Sequence, residues 1–167
     1  MRRVLGSLCL SIVVMAATTV SALAARPERA FAEAPPTTDY EAGEICAFPV
    51  RIETPVNKGY SLTFEVAADG TQRMIVTGRL GTKVTNLDTN EWLTANVSGP
   101  GVFTFAADGT TSIKGGGPWL LYLTPTDVGG PGMWLTFGRL QVEVGETSVT
   151  AIVLPRNSRD VCEMLAA

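Results

Sequence analysis

From residue 46 to about residue 154 the chain is a series of short β-branched and aromatic runs, several with a two-residue rhythm, and that pattern restricts its fold more than any other feature. In GYSLTFEVA (59–67), Leu62, Phe64 and Val66 fall on one side of an extended strand, with Ser61, Thr63 and Glu65 on the other. GRLQVEV (138–144) repeats the pattern with Leu140, Val142 and Val144. Such alternation belongs to antiparallel strands that bury one face. Runs at 48–54, 59–67, 71–77, 82–87, 92–98, 102–107, 110–114, 118–123, 133–143 and 147–154 read as strands. Between them stand turn signals: Asp69-Gly70, Asp108-Gly109, Asn86-Asp88-Asn90 and Gly145-Glu146. The echo of FEVAADGT (64–71) in FTFAADGT (103–110) reads as one hairpin chemistry made twice. One helix is expected, at 158–165, with Ser158 as its N-cap and Val161, Met164 and Leu165 towards the body. The expected fold is all-β: an antiparallel meander forming a small β-barrel or β-sandwich, with a short C-terminal helix. The pattern alone does not separate barrel from sandwich.

The ends have a different character. Arg2 and Arg3 precede an apolar run from Val4 to Val20, and Ala22 and Ala24 give the small-x-small pattern of a signal peptidase site. Residues 1–24 are therefore expected to be a signal peptide cleaved before Ala25, leaving a secreted chain with no transmembrane segment. An uncleaved anchor is the alternative, though Gly6, Ser7, Ser11, Thr18 and Thr19 dilute the run. Residues 25–44 are rich in Ala, Pro and Glu, and are expected to be a disordered spacer before a single domain at 45–167. Cys9 leaves with the signal, so Cys46 and Cys162 remain as an even pair in an exported chain. A structural disulfide is expected between them.

Much chemistry is excluded by what the chain lacks. It has no histidine, which removes His-dependent triads and the commonest transition-metal ligand. No phosphate-binding glycine motif occurs, and the pairing of the cysteines leaves no free thiol. Without Arg2 and Arg3 the chain carries 11 basic and 16 acidic residues, a net charge of −5 that disfavours nucleic acid. No cofactor or metal is expected: the oxygen cluster Asn86-Leu87-Asp88-Thr89-Asn90-Glu91 has a turn explanation and lacks calcium-loop spacing. Glu65, Asp69, Asp108, Glu143 and Glu146 are the carboxylates open to acid–base work, and most lie in turns or on solvent faces.

Aromatic residues supply the ligand-binding candidates. Gly115-Gly116-Gly117-Pro118 and Gly129-Gly130-Pro131-Gly132 lead into Trp119 and Trp134, and Trp92 opens another strand. These tryptophans, with Tyr60 and Tyr122, either line a pocket or plug the ends of the core.

The landmarks Cys46-Ala47-Phe48-Pro49-Val50, Thr85-Asn86-Leu87, TANVSG (94–99), LTFGR (135–139) and Asp160-Val161-Cys162 resemble those of small uncharacterised secreted proteins of actinobacteria. The resemblance implies an exported all-β domain bracketed by its cysteines, and it carries no acidic site into TDVGGPGMW (126–134). The expectation is a non-enzymatic protein that binds a small molecule, glycan or envelope protein outside the cell. The alternative is a barrel enzyme, isomerase, cyclase or glycosidase-like, that uses carboxylate or tyrosine groups such as Tyr60 or Tyr122.

Overall fold

The computed structural model describes residues 26–166. The expected signal segment, with Cys9 and its cleavage position, lies outside them. The chain opens with β1 Glu28–Phe31, β2 Thr38–Tyr40, β3 Val50–Thr63 and β4 Gln72–Asn86. It continues through β5 Trp92–Asn96, β6 Gly101–Phe105, β7 Thr111–Gly115 and β8 Pro118–Leu123. Then come β9 Gly132–Phe137, β10 Leu140–Val144, β11 Val149–Val153, β12 Arg159–Asp160 and the helix α1 Val161–Leu165.

All ladders among these strands are antiparallel, and they form two sheets. The larger runs β1-β3-β4-β6-β7-β10-β11, with β2 on β3 and β5 on β4; the smaller is β12-β9-β8. The expected all-β meander with its short terminal helix is therefore what the chain adopts. The larger sheet is open, because no ladder joins β1 to β11 among the described residues. Of the two expected architectures the described residues thus make a layered, sandwich-like one, and the closed barrel is not formed.

The hairpin of β3 and β4 is the spine. The expected strands left gaps at 55–58 and 78–81, yet one ladder, bulged at Thr54-Pro55, crosses both, with Lys58 opposite Arg79 and Gly59 opposite Gly78. Facing glycines offer no side chains to pack, but the main-chain bonds continue. Four expected short strands thus become two long ones. In the other direction, the run 133–143 divides at Gly138 into β9 and β10.

Residues 26–44 depart from the spacer expected of them. β1 lies on the far end of β3, from Glu28 opposite Thr63 to Phe31 opposite Tyr60. β2 lies on its beginning, from Thr38 opposite Ile52 to Tyr40 opposite Val50. Asp39 and Arg51 reinforce the second ladder through paired bonds of 2.7 and 2.6 Å. Composition reports what a segment can bury by itself. It does not report that a long neighbouring strand leaves an edge free to be paired.

The core lies between the sheets. Val50 and Val84 of the spine meet Met133 and Leu135 of β9, with Ile45, Val161 and Leu165 closing the end. α1 begins at Asp160, whose carboxylate accepts from the Glu163 N–H at 3.1 Å. Ser158 instead donates to the Pro155 carbonyl, so the helix is shorter than expected, and Met164 faces solvent. Asn86, fully buried, donates to the Leu165 carbonyl at 3.0 Å and accepts from the Asp88 N–H, joining the β4 turn to α1. The Cys46–Cys162 disulfide spans 116 residues and fixes α1 to the segment before β3.

The loop between β8 and β9 is held by Asp127. Its carboxylate accepts from the Val149 N–H at 2.7 Å and from the Thr124 N–H and hydroxyl at 2.6 and 2.8 Å. Burial works against its ionisation, but the bonds from Val149 and Thr124 outweigh it and hold the carboxyl below its ordinary 3.8.

Two outcomes are expected. Replacing both cysteines by serine lowers unfolding stability by about 2–5 kcal/mol, measured by urea titration, because the unfolded chain loses a long covalent loop. Asp127→Ala lowers it by about 1 kcal/mol at pH 7, after allowance for solvent screening. A depressed native pKa stabilises above the unfolded value, so the gap to wild type narrows as pH falls below 3.8. A gap that stays constant down to pH 2 contradicts the assignment.

Candidate functional site

The register of the spine slips between Glu53 and Val56, where β3 carries one residue more than β4. Because strand side chains alternate, one extra residue moves everything after it to the other face. The slip lies at Thr54-Pro55, and proline has no N–H to donate to a ladder. As a result Ile52 and Thr54 before the bulge, and Asn57 and Gly59 after it, all border one cavity. Val76, Gly78, Leu80 and Thr82 of β4 border it beside them.

This cavity has a volume of about 310 Å³, at the lower end of ligand pockets, which run from about 300 to 1,000 Å³. Its opposite wall is Trp119, Leu120 and Tyr122 of β8, and Phe103 of β6 stands at one end. The connection between β1 and β2 crosses it as a strap, contributing Ala32, Glu33, Ala34, Pro35 and Pro36. Asn57 fastens the strap: its Nδ2 donates to the Ala32 carbonyl at 2.7 Å while its Oδ1 accepts from the Gly59 N–H at 2.9 Å.

Trp119 is seated on glycine. A Cβ on Gly101 would lie 2.5 Å from its ring, and one on Gly115 would lie 2.9 Å from it. The GGGP run before the strand, with GPG at 99–101, thus clears space for an indole. Phe103 packs against it at 6.3 Å between centroids. The indole Nε1 is buried and has no hydrogen-bond partner among the described residues. Tyr40 and Tyr122, both in the cavity lining, meet at 5.7 Å between ring centroids. Burial, with Tyr122 beside it and Glu44 nearby, pushes the Tyr40 hydroxyl up to about 12, so it is a neutral group at ordinary pH.

Of the five aromatic candidates, Trp119 and Tyr122 line this cavity and the other three do not. Trp92 is 60% exposed on β5, with the Lys83 ammonium 5.7 Å from its ring. Trp134 lies over Gly132 of its own strand. Tyr60 sits near the far end of β3, where the Arg29 guanidinium stacks on it at 4.2 Å. Sequence reasoning missed Tyr40 and Phe103. Tyr40 belonged to the expected spacer, whereas the alternation of VFTFAA was a usable signal for Phe103.

The carboxylates lie elsewhere. Asp69 accepts from the N–H and hydroxyl of Thr71, and Asp108 does the same with Thr110. These bonds hold both acids below the ordinary carboxylate range. Glu143 accepts from the Ser112 hydroxyl at 2.8 Å, and Glu65 and Glu146 are exposed. Among the described residues no group of three His, Cys, Asp or Glu is placed to hold a metal ion. No family model, curated protein or solved structure matches the chain.

The seating of Trp119 gives a direct check. Gly101→Ala should force the indole off its bed and cost about 1–3 kcal/mol, as overpacking does. Gly43→Ala serves as control, since a Cβ there meets nothing within 4 Å and any loss comes from its positive φ alone. Near-ultraviolet circular dichroism of Gly101→Ala should change in the tryptophan band, and an unchanged band contradicts the seating.

Proposed function

We propose that this protein is an exported, non-enzymatic binder that holds a small, largely apolar molecule in the cavity between the β3–β4 spine and β8. The observation that carries this reading is a ligand-sized space walled by Tyr40, Phe103, Trp119 and Tyr122 under a strap of its own chain. Concave, mainly apolar sites with a few placed polar groups are where small molecules bind. A glycan or a protein partner would draw on exposed aromatics such as Trp92, which stands on β5 outside the cavity lining. The enzyme alternative looks to carboxylate or tyrosine groups such as Tyr60 or Tyr122. Tyr60 has an arginine against its ring, and Tyr122 has another tyrosine.

Export is part of the proposal. The signal-like segment 1–24 and the resemblance to secreted actinobacterial proteins support it, and the disulfide suits an oxidising compartment.

The test is uptake of an environment-sensitive naphthyl dye by protein recovered from culture medium, where the chain is expected to begin at Ala25. Saturable fluorescence enhancement is expected with wild type. It should be lost in Val76→Phe, which fills the cavity, provided that variant keeps its native circular dichroism. Folded wild-type protein that takes up no dye would sink the reading.

A further inference from the structure

The polar groups around the cavity are of one kind, and this points to a ligand class. Glu33, on the exposed strap, is the one charged residue among those lining the cavity, and no lysine or arginine lines it. The remaining polar groups are neutral, and several are already engaged. Asn57 bonds to Ala32 and Gly59; Ser98 donates to the Leu80 carbonyl and accepts from the Leu80 N–H; Thr38 donates to the Pro36 carbonyl.

Thr82 is different. It is 5% exposed, sits on the cavity side of β4 between Leu80 and Val84, and borders the void. Its hydroxyl makes no hydrogen bond to another described residue. A threonine hydroxyl can both donate and accept, so it matches a carbonyl, ether or alcohol oxygen. An anionic ligand would enter with no counter-charge and with the Glu33 carboxylate at the strap, which is the expensive arrangement for a buried charge. A cationic ligand has that single, solvated carboxylate to meet, and a solvated carboxylate offsets little of an ion's desolvation.

We infer that the cavity selects an uncharged apolar ligand carrying one polar oxygen, which Thr82 holds by a hydrogen bond, and that it rejects the anionic counterpart. This rests on the small-molecule reading above and narrows it to a chemical class.

The test uses four probes on one ring system: 2-naphthylmethanol, naphthalene, 2-naphthoate and 2-naphthylmethylammonium. Each competes with the bound dye at pH 7.5 for wild type, Thr82→Val and Thr82→Ser. Naphthylmethanol should bind tightest and naphthoate weakest, by at least about 10-fold. Thr82→Val, which keeps the shape, should weaken naphthylmethanol by about 3- to 10-fold and leave naphthalene unchanged. Thr82→Ser, which keeps the hydroxyl, should retain the preference. The inference is overturned if naphthoate or the ammonium probe matches the alcohol, or if Thr82→Val affects alcohol and hydrocarbon alike. Failure of all four probes to displace the dye or to bind directly removes the cavity reading itself, and this inference with it.

Discussion

The bulged ladder between β3 and β4 is the constraint from which most of this structure follows. It runs from Val50 opposite Asn86 to Thr63 opposite Met74, and each of its stretches serves a different neighbour. β4 pairs with β6 over Gln72–Val76 and with β5 over Gly81–Thr85, while β3 takes β2 at its start and β1 at its end. Without the extra residue at Thr54-Pro55, Asn57 and Gly59 would point away from the smaller sheet. The strap would then lose the Asn57 bond to Ala32, and the cavity would lose both its roof fastening and half of one wall. One inserted residue thus separates a flat packed sheet from a sheet with a concave end.

The two ends of the spine differ in how they are filled. Near Val50 and Val84 the smaller sheet lies close, and Ile45, Met133, Val161 and Leu165 leave a continuous core that the disulfide ties together. Further along, Gly59 opposes Gly78, and neither supplies side-chain volume. The cavity opens where the spine becomes glycine. Tight packing and open space therefore follow the same β3–β4 ladder, set by which residues occupy its inner face.

Much of the fold was legible because alternation and turn chemistry are local. The Asp-Gly tips behaved as their residues required: Gly70 and Gly109 take φ of +81° and +86°, and each aspartate bonds the threonine two residues on. The cysteine pair was legible from count and context. Other features depended on partners that no local window contains. Asn57-Lys58-Gly59 and Gly78-Arg79-Leu80-Gly81 each have turn composition, and only their pairing with one another keeps both extended. The strap was read as a spacer for the same reason, since its order comes from the free edge of β3. Among the site residues, Trp119 was picked out as an aromatic beside a glycine-rich loop, and Tyr122 as a candidate tyrosine. Tyr40 and Thr82 carry no sequence signal that sets them apart, because their place on the cavity wall arises from what faces them.

Trp119 shows what the site gives up for its shape. Its ring rests on Gly101 and Gly115, positions where any side chain would displace it, and its buried N–H has no partner among the described residues. An unmade bond of this kind costs about 1–3 kcal/mol, and glycine within strands adds its own entropic penalty. A core assembled for stability alone would place a leucine here and give the neighbouring strands side chains of their own. The arrangement instead holds a large flat surface fixed against the cavity, with Phe103 at its edge and the Tyr40–Tyr122 pair across from it. A wall already in place before a ligand arrives spares the ordering cost that binding otherwise carries. On the proposed binding function, that is a physical reason to keep Gly101, Gly115 and a buried, unpaired indole N–H beside one space.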